Sequence, residues 1–126
     1  MQETEKKHIL VVDDDPMMLS ATRLLLKDTY KMSMANSGHN ALELLAMKPV
    51  DLILLDYEMP YISGPKFMEM IRSDKKTKDI PVMVLTALNE SEIGEEIHKW
   101  NPQDILFKTM PPEELMERID GFLNSK

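Results

Sequence analysis

Short unbroken apolar runs alternate along the chain with longer stretches in which apolar residues recur at helical spacing. The clearest runs cover residues 9–12, 52–55 and 81–85. Runs that are apolar on both faces are typical of parallel strands buried between two layers. Residues 30–35 show a weaker, alternating pattern and residues 105–107 form a short apolar run. The pattern therefore predicts five strands.

The segments between these runs carry signals for helix starts. Asp15 and Pro16 are typical of an N-cap and a first helical residue. Ile93 and Ile97 lie four residues apart and predict a helix over residues 90–100. Other helices are expected to open at Ser37-Gly38, Gly64-Pro65 and Pro112. Five strands alternating with five helices predict an α/β fold, with a mostly parallel sheet covered on both faces.

Length, composition and charge narrow the function. A chain of 126 residues predicts one domain over residues 1–126, with a polar N-terminal extension (1–7) and a short tail (124–126). There are no cysteines, which excludes disulfides and thiolate metal sites. The net charge of −7 argues against direct nucleic-acid binding. No apolar run is long enough to cross a membrane or to form a signal peptide, so we expect a cytoplasmic protein.

Polar side chains follow four of the predicted strands. Asp13 and Asp14 end the first, Asp56 the third, Thr86 the fourth and Lys108 the fifth. In a parallel sheet these positions meet at one edge, where ligands of open α/β sheets bind. Each residue alone is ordinary, as a helix start, a turn residue or a solvated lysine. Their coincidence at four strand ends predicts a joint site.

The residue types at this edge indicate phosphoryl chemistry with a hard metal ion. Carboxylates that crowd together raise one another's pKa unless a divalent cation lies among them. Ligation by oxygen alone suits Mg²⁺. A carboxylate such as Asp56 can then act as a nucleophile. Lys108 and the Thr86 hydroxyl would supply a positive charge and a hydrogen bond to the phosphoryl oxygens.

The motifs that carry these residues resemble the receiver domain of two-component response regulators, the chemotaxis response regulators among them. The resemblance extends from Ile9 to Leu123. Its motifs are weak singly and specific together, because their order and spacing both agree. They are ILVVDDDP at 9–16, DLILLDYEMP at 51–60 followed by Ser63-Gly64, IPVMVLTA at 80–87, Phe107-Lys108, and PEEL at 112–115.

The resemblance implies a flavodoxin-like, doubly wound (βα)₅ fold with strand order 2-1-3-4-5. It implies a phosphorelay protein that receives its phosphoryl group from a sensor histidine kinase or a phosphotransfer protein. Such a domain is not an enzyme beyond its self-catalysed phosphorylation and dephosphorylation. A monomer or weak dimer is expected, and the downstream effector is not identified by the sequence.

The resemblance also implies roles for individual residues. Asp56 is expected to be the phosphoacceptor and a metal ligand. Asp14 would bind Mg²⁺ directly and Asp13 largely through water. The backbone carbonyl of Glu58 would complete the protein ligands. The side chains of Glu58 and Leu88 would flank the path of the water that hydrolyses the acyl phosphate.

Thr86 is expected to be the switch hydroxyl that moves toward the phosphoryl group, and Lys108 the residue that pairs with that group. Two neighbours depart from the family. Thr109 replaces the usual proline, so the bond before it is either trans in a reshaped loop or a strained cis bond. Ile105 replaces the usual switch aromatic. We therefore expect the signal to be read through the loop after Thr86 and the helix over residues 90–100.

Three other readings stay open. A degenerate receiver would bind a partner protein without being phosphorylated, although the site residues are intact. A phosphatase or phosphotransferase of the haloacid dehalogenase type would use Asp13 as its nucleophile, but that class usually has Thr or Val where Met17 stands. A flavodoxin-like cofactor binder would need a glycine-rich phosphate loop, which does not follow the first strand.

Overall fold

Five short strands and four helices make up the fold of the part of the chain that the structure describes. The computed structural model of the chain describes residues 6–59 and 62–124. Most of the predicted N-terminal extension and the end of the predicted tail lie outside these residues. In chain order the elements are β1 (His8–Val12), α1 (Pro16–Leu26), β2 (Lys31–Ala35), α2 (Gly38–Met47), β3 (Leu52–Asp56), α3 (Gly64–Ser73), β4 (Val82–Thr86), β5 (Asp104–Phe107) and α4 (Pro112–Leu123).

The five strands form one parallel sheet in the order β2-β1-β3-β4-β5. β1 pairs with both β2 and β3, so the chain winds in one direction from β1 and then in the other. The predicted flavodoxin-like α/β fold and its strand order are confirmed. The break in strand order between β1 and β3 is the switch point at which such sheets bind their ligands.

Alternate residues of each central strand point into two separate cores, one on each face of the sheet. Leu10, Ile53 and Val84 face α2 and α3, where they pack with Phe67. Ile9, Leu54 and Met83 face the other layer, in which α1 and α4 contribute Leu26, Ile119 and Leu123. The strands are apolar on both faces because both faces are covered.

The helices begin where the sequence predicts. The Asp15 carboxylate accepts a hydrogen bond from the Met17 N–H at 3.0 Å, and Pro16 is the first residue of α1. Ser37 caps α2 and Ser63 caps α3 in the same way. These caps satisfy N–H groups that a helix leaves without a partner in its first turn. They also fix where each helix leaves the sheet edge that carries the carboxylates.

The prediction of a helix over residues 90–100 is wrong. This segment forms a turn around Asn89 and then a single 3₁₀ turn, Glu95–His98. Gly94 between them is extended, with φ −91° and ψ −177°. Asn89 and Glu92 cap each other's N–H groups as at a helix start, but the extended backbone at Gly94 stops the helix before it can continue. Ile97 is still buried in the core, so the apolar spacing reflects burial without a full helix.

No helix in the described part of the chain is both long and apolar enough to cross a membrane.

Candidate functional site

The predicted site residues meet at the carboxyl edge of the sheet. Asp56 ends β3 and Thr86 ends β4, and Asp13 and Lys108 directly follow β1 and β5. The strand register pairs Asp56 with Leu85. Asp56 and Thr86 are therefore neighbours across the sheet. Parallel pairing alone brings these four side chains together from four separate parts of the sequence.

Three carboxylates form an acidic cluster made of Asp13, Asp14 and Asp56. One oxygen from each lies within 4.8 Å of the others. Asp13 is 2% exposed and Asp56 3% exposed, whereas Asp14 is open to solvent. Burial, together with the neighbouring charge of Asp56, raises the pKa of Asp13 to about 6. The cluster is thus held at a high electrostatic cost in the protein alone.

The one basic side chain in direct contact with this cluster, among the described residues, is Lys108. Its Nζ lies 2.9 Å from Asp56 Oδ1. Burial by itself would lower the pKa of Lys108, but the carboxylates of Asp56, Asp13 and Glu58 outweigh burial and raise it. The described residues contain no cis peptide bond, so the bond between Lys108 and Thr109 is trans. Lys108 reaches Asp56 without the proline that usually follows it.

Thr86 is fully buried and is held by Glu58. Its hydroxyl donates to Glu58 Oε2 at 2.5 Å, and the next N–H, that of Ala87, donates to Glu58 Oε1 at 2.9 Å. The same hydroxyl oxygen accepts a hydrogen bond from the Leu88 N–H at 3.1 Å. The Glu58 N–H points the other way and lies 3.3 Å from Asp56 Oδ1. Glu58 therefore joins the acidic cluster to the end of β4.

The donor set of the cluster fits a hard divalent cation. All three side chains offer carboxylate oxygens, and none offers nitrogen or sulfur. Two are buried and one is exposed, which leaves an open side through which water ligands of Mg²⁺ could be retained. Such an ion would offset the burial and the repulsion by Asp56 that raise the pKa of Asp13.

The geometry agrees with one known family. The sequence matches the response regulator receiver domain family over residues 9–120. The chain belongs to this family. The receiver domain is a component of two-component signalling systems, and the match runs from the first strand of this chain into its last helix.

Two relatives illustrate how widely this receiver domain is used. The chain is 33% identical over 126 residues to a probable cyclic di-GMP phosphodiesterase of Vibrio cholerae, matching 100% of this chain and 29% of the relative. It is 30% identical to the sensor histidine kinase TmoS of Ectopseudomonas mendocina, matching 98% of this chain and 13% of the relative. The chain thus spans less than a third of each of these proteins.

Solved structures agree with the fold. The chemotaxis response regulator CheY4 of Vibrio cholerae superposes with a TM-score of 0.84 at 26% identity, covering 91% of this chain and 97% of that one. The predicted resemblance to chemotaxis-type receivers is therefore confirmed for the fold and the family.

The contact between Glu58 and Thr86 was not predicted from the sequence, which placed the Glu58 side chain beside the path of water. The signal was present in the strand register. Asp56 pairs with Leu85 in the sheet. Glu58 lies two residues after Asp56, and Ala87 lies two residues after Leu85, so the same register brings Glu58 beside Ala87. A carboxylate at that position can reach the N–H and hydroxyl groups at the end of β4.

Proposed function

We propose that this chain is a phosphoacceptor receiver domain over residues 1–126, in which Asp56 takes a phosphoryl group in a Mg²⁺-dependent reaction. The contact of 2.9 Å between Lys108 Nζ and Asp56 Oδ1 carries the proposal, because it pairs a buried carboxylate with a cation at the switch point of the sheet. Asp13 and Asp14 stand beside it. The donor would be a phosphohistidine of a sensor histidine kinase or of a phosphotransfer protein.

In the proposed reaction a carboxylate oxygen of Asp56 forms a bond to phosphorus while the bond from phosphorus to the donor's imidazole breaks. The imidazole keeps the electron pair. Lys108 loses part of its contact with the Asp56 carboxylate and gains one with a phosphoryl oxygen, so its charge stays paired throughout. Burial of Asp56 keeps bulk water away from the acyl phosphate that results.

Asp13, Asp14, Asp56 and the backbone carbonyl of Glu58 would hold the Mg²⁺ ion. When bound, such an ion would supply positive charge that offsets the charge on the phosphoryl oxygens. Asp13 is fixed for this purpose, since its Oδ1 accepts a hydrogen bond of 2.9 Å from the Asp15 N–H. The exposed Asp14 is the carboxylate that solvent ions reach first.

Phosphorylation would change the end of β4 through Thr86. A phosphoryl group on Asp56 offers new acceptor oxygens to the Thr86 hydroxyl. Since Ile105 provides no aromatic switch, the change would pass into the loop that follows Thr86 and into the 3₁₀ turn at Glu95–His98. The 3₁₀ turn stands where the sequence predicts a helix over residues 90–100, and the loop after Thr86 keeps its expected role.

Intact-mass measurement with Mg²⁺ and acetyl phosphate tests the proposal. The wild type should gain the mass of one phosphoryl group, and Asp56→Asn should gain none. Asp51→Asn, the same chemical change at the other end of β3, is the matched control and should be labelled like the wild type. Labelling of Asp56→Asn would contradict the proposal. A wild type that stays unlabelled would favour a degenerate receiver that acts only by binding a partner.

A further inference from the structure

Glu58 holds a pair of hydrogen-bond donors that an anion would otherwise take. The Thr86 hydroxyl and the Ala87 N–H each donate to a different oxygen of the Glu58 carboxylate, at 2.5 and 2.9 Å. Hydrogen bonds to an ionised acceptor are about twice as strong as neutral ones. The two donors therefore form a built anion seat, and in the unphosphorylated chain that seat is filled by a side chain of the protein itself.

The seat lies beside the proposed phosphoacceptor. The Glu58 N–H reaches Asp56 Oδ1 at 3.3 Å, and Asp56 and the end of β4 are neighbours across the sheet. Thr86 is fully buried, so its hydroxyl requires an acceptor in every state of the protein. If the hydroxyl turns toward a phosphoryl oxygen, it must leave Glu58. The Glu58 carboxylate and the phosphoryl group then compete for one donor.

We propose that the Glu58 side chain is an internal competitor of the phosphoryl group. The Glu58 carboxylate occupies the Thr86 and Ala87 donors until Asp56 is phosphorylated, and the phosphoryl group then displaces it. This inference rests on the proposed function of Asp56. It assigns Glu58 a positioning role: the side chain keeps Thr86 turned away from Asp56 in the resting state. Glu58 itself is exposed, so a displaced carboxylate has water to enter.

The Leu88 N–H connects the competition to the loop. It donates to the Thr86 hydroxyl oxygen at 3.1 Å. A hydroxyl that turns toward Asp56 alters this bond as well. Displacement of Glu58 would therefore change the hydrogen bonds of three neighbouring residues at once, through the Thr86 hydroxyl and the Ala87 and Leu88 N–H groups, in the segment that we propose as the readout.

Titration with beryllofluoride and Mg²⁺, followed by backbone amide resonances, tests this role. Beryllofluoride is a phosphoryl mimic that binds a carboxylate. Removing the competitor in Glu58→Ala should tighten binding roughly tenfold, the effect of losing a charge-assisted hydrogen bond in a partly exposed position. Glu58→Gln keeps an acceptor oxygen without the charge, so its affinity for beryllofluoride should lie between those of the wild type and Glu58→Ala. Both variants keep the backbone carbonyl of residue 58.

Glu92→Ala is the matched control. It removes a carboxylate from the same loop, where Glu92 accepts a hydrogen bond from the Asn89 N–H rather than from Thr86. Its affinity should stay within about twofold of the wild type, since exposed charges contribute little. A gain in Glu92→Ala equal to that in Glu58→Ala would reduce the effect to general charge and overturn the competition.

The Ala87 amide provides a readout that does not depend on beryllofluoride. Without the mimic, Glu58→Ala should move the Ala87 amide proton upfield, because the N–H loses its carboxylate acceptor, and beryllofluoride should move it back. An unchanged Ala87 resonance, or unchanged affinity in Glu58→Ala, would overturn the role of Glu58 and leave the proposed function standing. Failure of the wild type to bind beryllofluoride at all would overturn both.

Discussion

The two ends of the sheet both bury polar side chains, but they satisfy them in different ways. At the amino end, His8 is 8% exposed. Its ring Nε2 lies 2.7 Å from Ser33 Oγ, and its backbone N–H donates to Asp51 Oδ2 at 2.8 Å. At the carboxyl end, three carboxylates share one nearby ammonium group, that of Lys108. The amino end is complete by itself, whereas the carboxyl end has an excess of negative charge. Crowded carboxylates with shifted pKa values are typical of sites that bind a ligand or carry out chemistry.

The two ends also respond to pH with opposite sign. Asp13 has a pKa raised from 3.8 to about 6, so its neutral form favours the folded state and this stability is lost as the pH rises through about 6. His8 has a pKa lowered from 6.5, mainly by burial and also by Lys31 and Lys48. Its neutral form favours the folded state too, so that stability is lost as the pH falls below 6.5. These differences can be tested separately.

The largest effect is expected from Mg²⁺ at the carboxyl end. At one hundred times its dissociation constant the ion should raise the free energy of unfolding by about 2.7 kcal/mol, because it binds only the folded cluster. Urea unfolding at pH 7 with and without Mg²⁺ measures this. Asp14→Asn should lose the increase, and Asp51→Asn at the amino end should keep it. An equal increase in both variants would show that the ion does not bind at the cluster.

Neutralising Asp13 should relieve the cluster without metal. In Mg²⁺-free buffer at pH 7, Asp13→Asn should be more stable than the wild type by an amount on the order of 1–3 kcal/mol, since it removes a charge that burial disfavours. The gain should vanish near pH 4, where Asp13 is protonated in the wild type. The same unfolding experiment at both pH values measures it. A gain that is the same at pH 4 would point to packing rather than charge.

The smallest effect is expected at the amino end. His8→Gln removes the group that must stay neutral, so the variant should lose less stability than the wild type between pH 7.5 and pH 5. Thermal unfolding at the two pH values gives the comparison. His39→Gln is a suitable control, because His39 is exposed on α2. If His8→Gln lost as much stability as the wild type between pH 7.5 and pH 5, the titration of His8 would not contribute to the pH dependence of folding.

Most of the fold could be predicted because the central strands are apolar on both faces and are therefore visible in the sequence as unbroken apolar runs. Runs such as residues 52–55 are apolar throughout, which is typical of a strand covered on both faces. Helix starts were equally plain where a cap and a proline coincide, as at Asp15 and Pro16. The cluster of acidic side chains then followed from parallel pairing, without knowledge of any distance.

The crossover between β4 and β5 could not be predicted in the same way. Ile93 and Ile97 are spaced as on a helix, but this spacing only requires that both face the core. The extended backbone at Gly94 ends the turn that Asn89 caps, and a single glycine leaves no periodic signal. The bond between Glu58 and Thr86 escaped prediction for a related reason. Side-chain rotamers in loops depend on neighbours that only the folded chain defines.

We propose that Asp56, at the charged end of the sheet, is the residue that receives the phosphoryl group. Borohydride reduction of the phosphorylated protein, followed by peptide mass spectrometry, locates an acyl phosphate because it converts the modified aspartate to homoserine. We expect homoserine at position 56 and at no other aspartate. Homoserine at position 13 would instead support a phosphatase-type reaction, and would contradict both the role of Asp56 as phosphoacceptor and the role of Glu58 as its competitor.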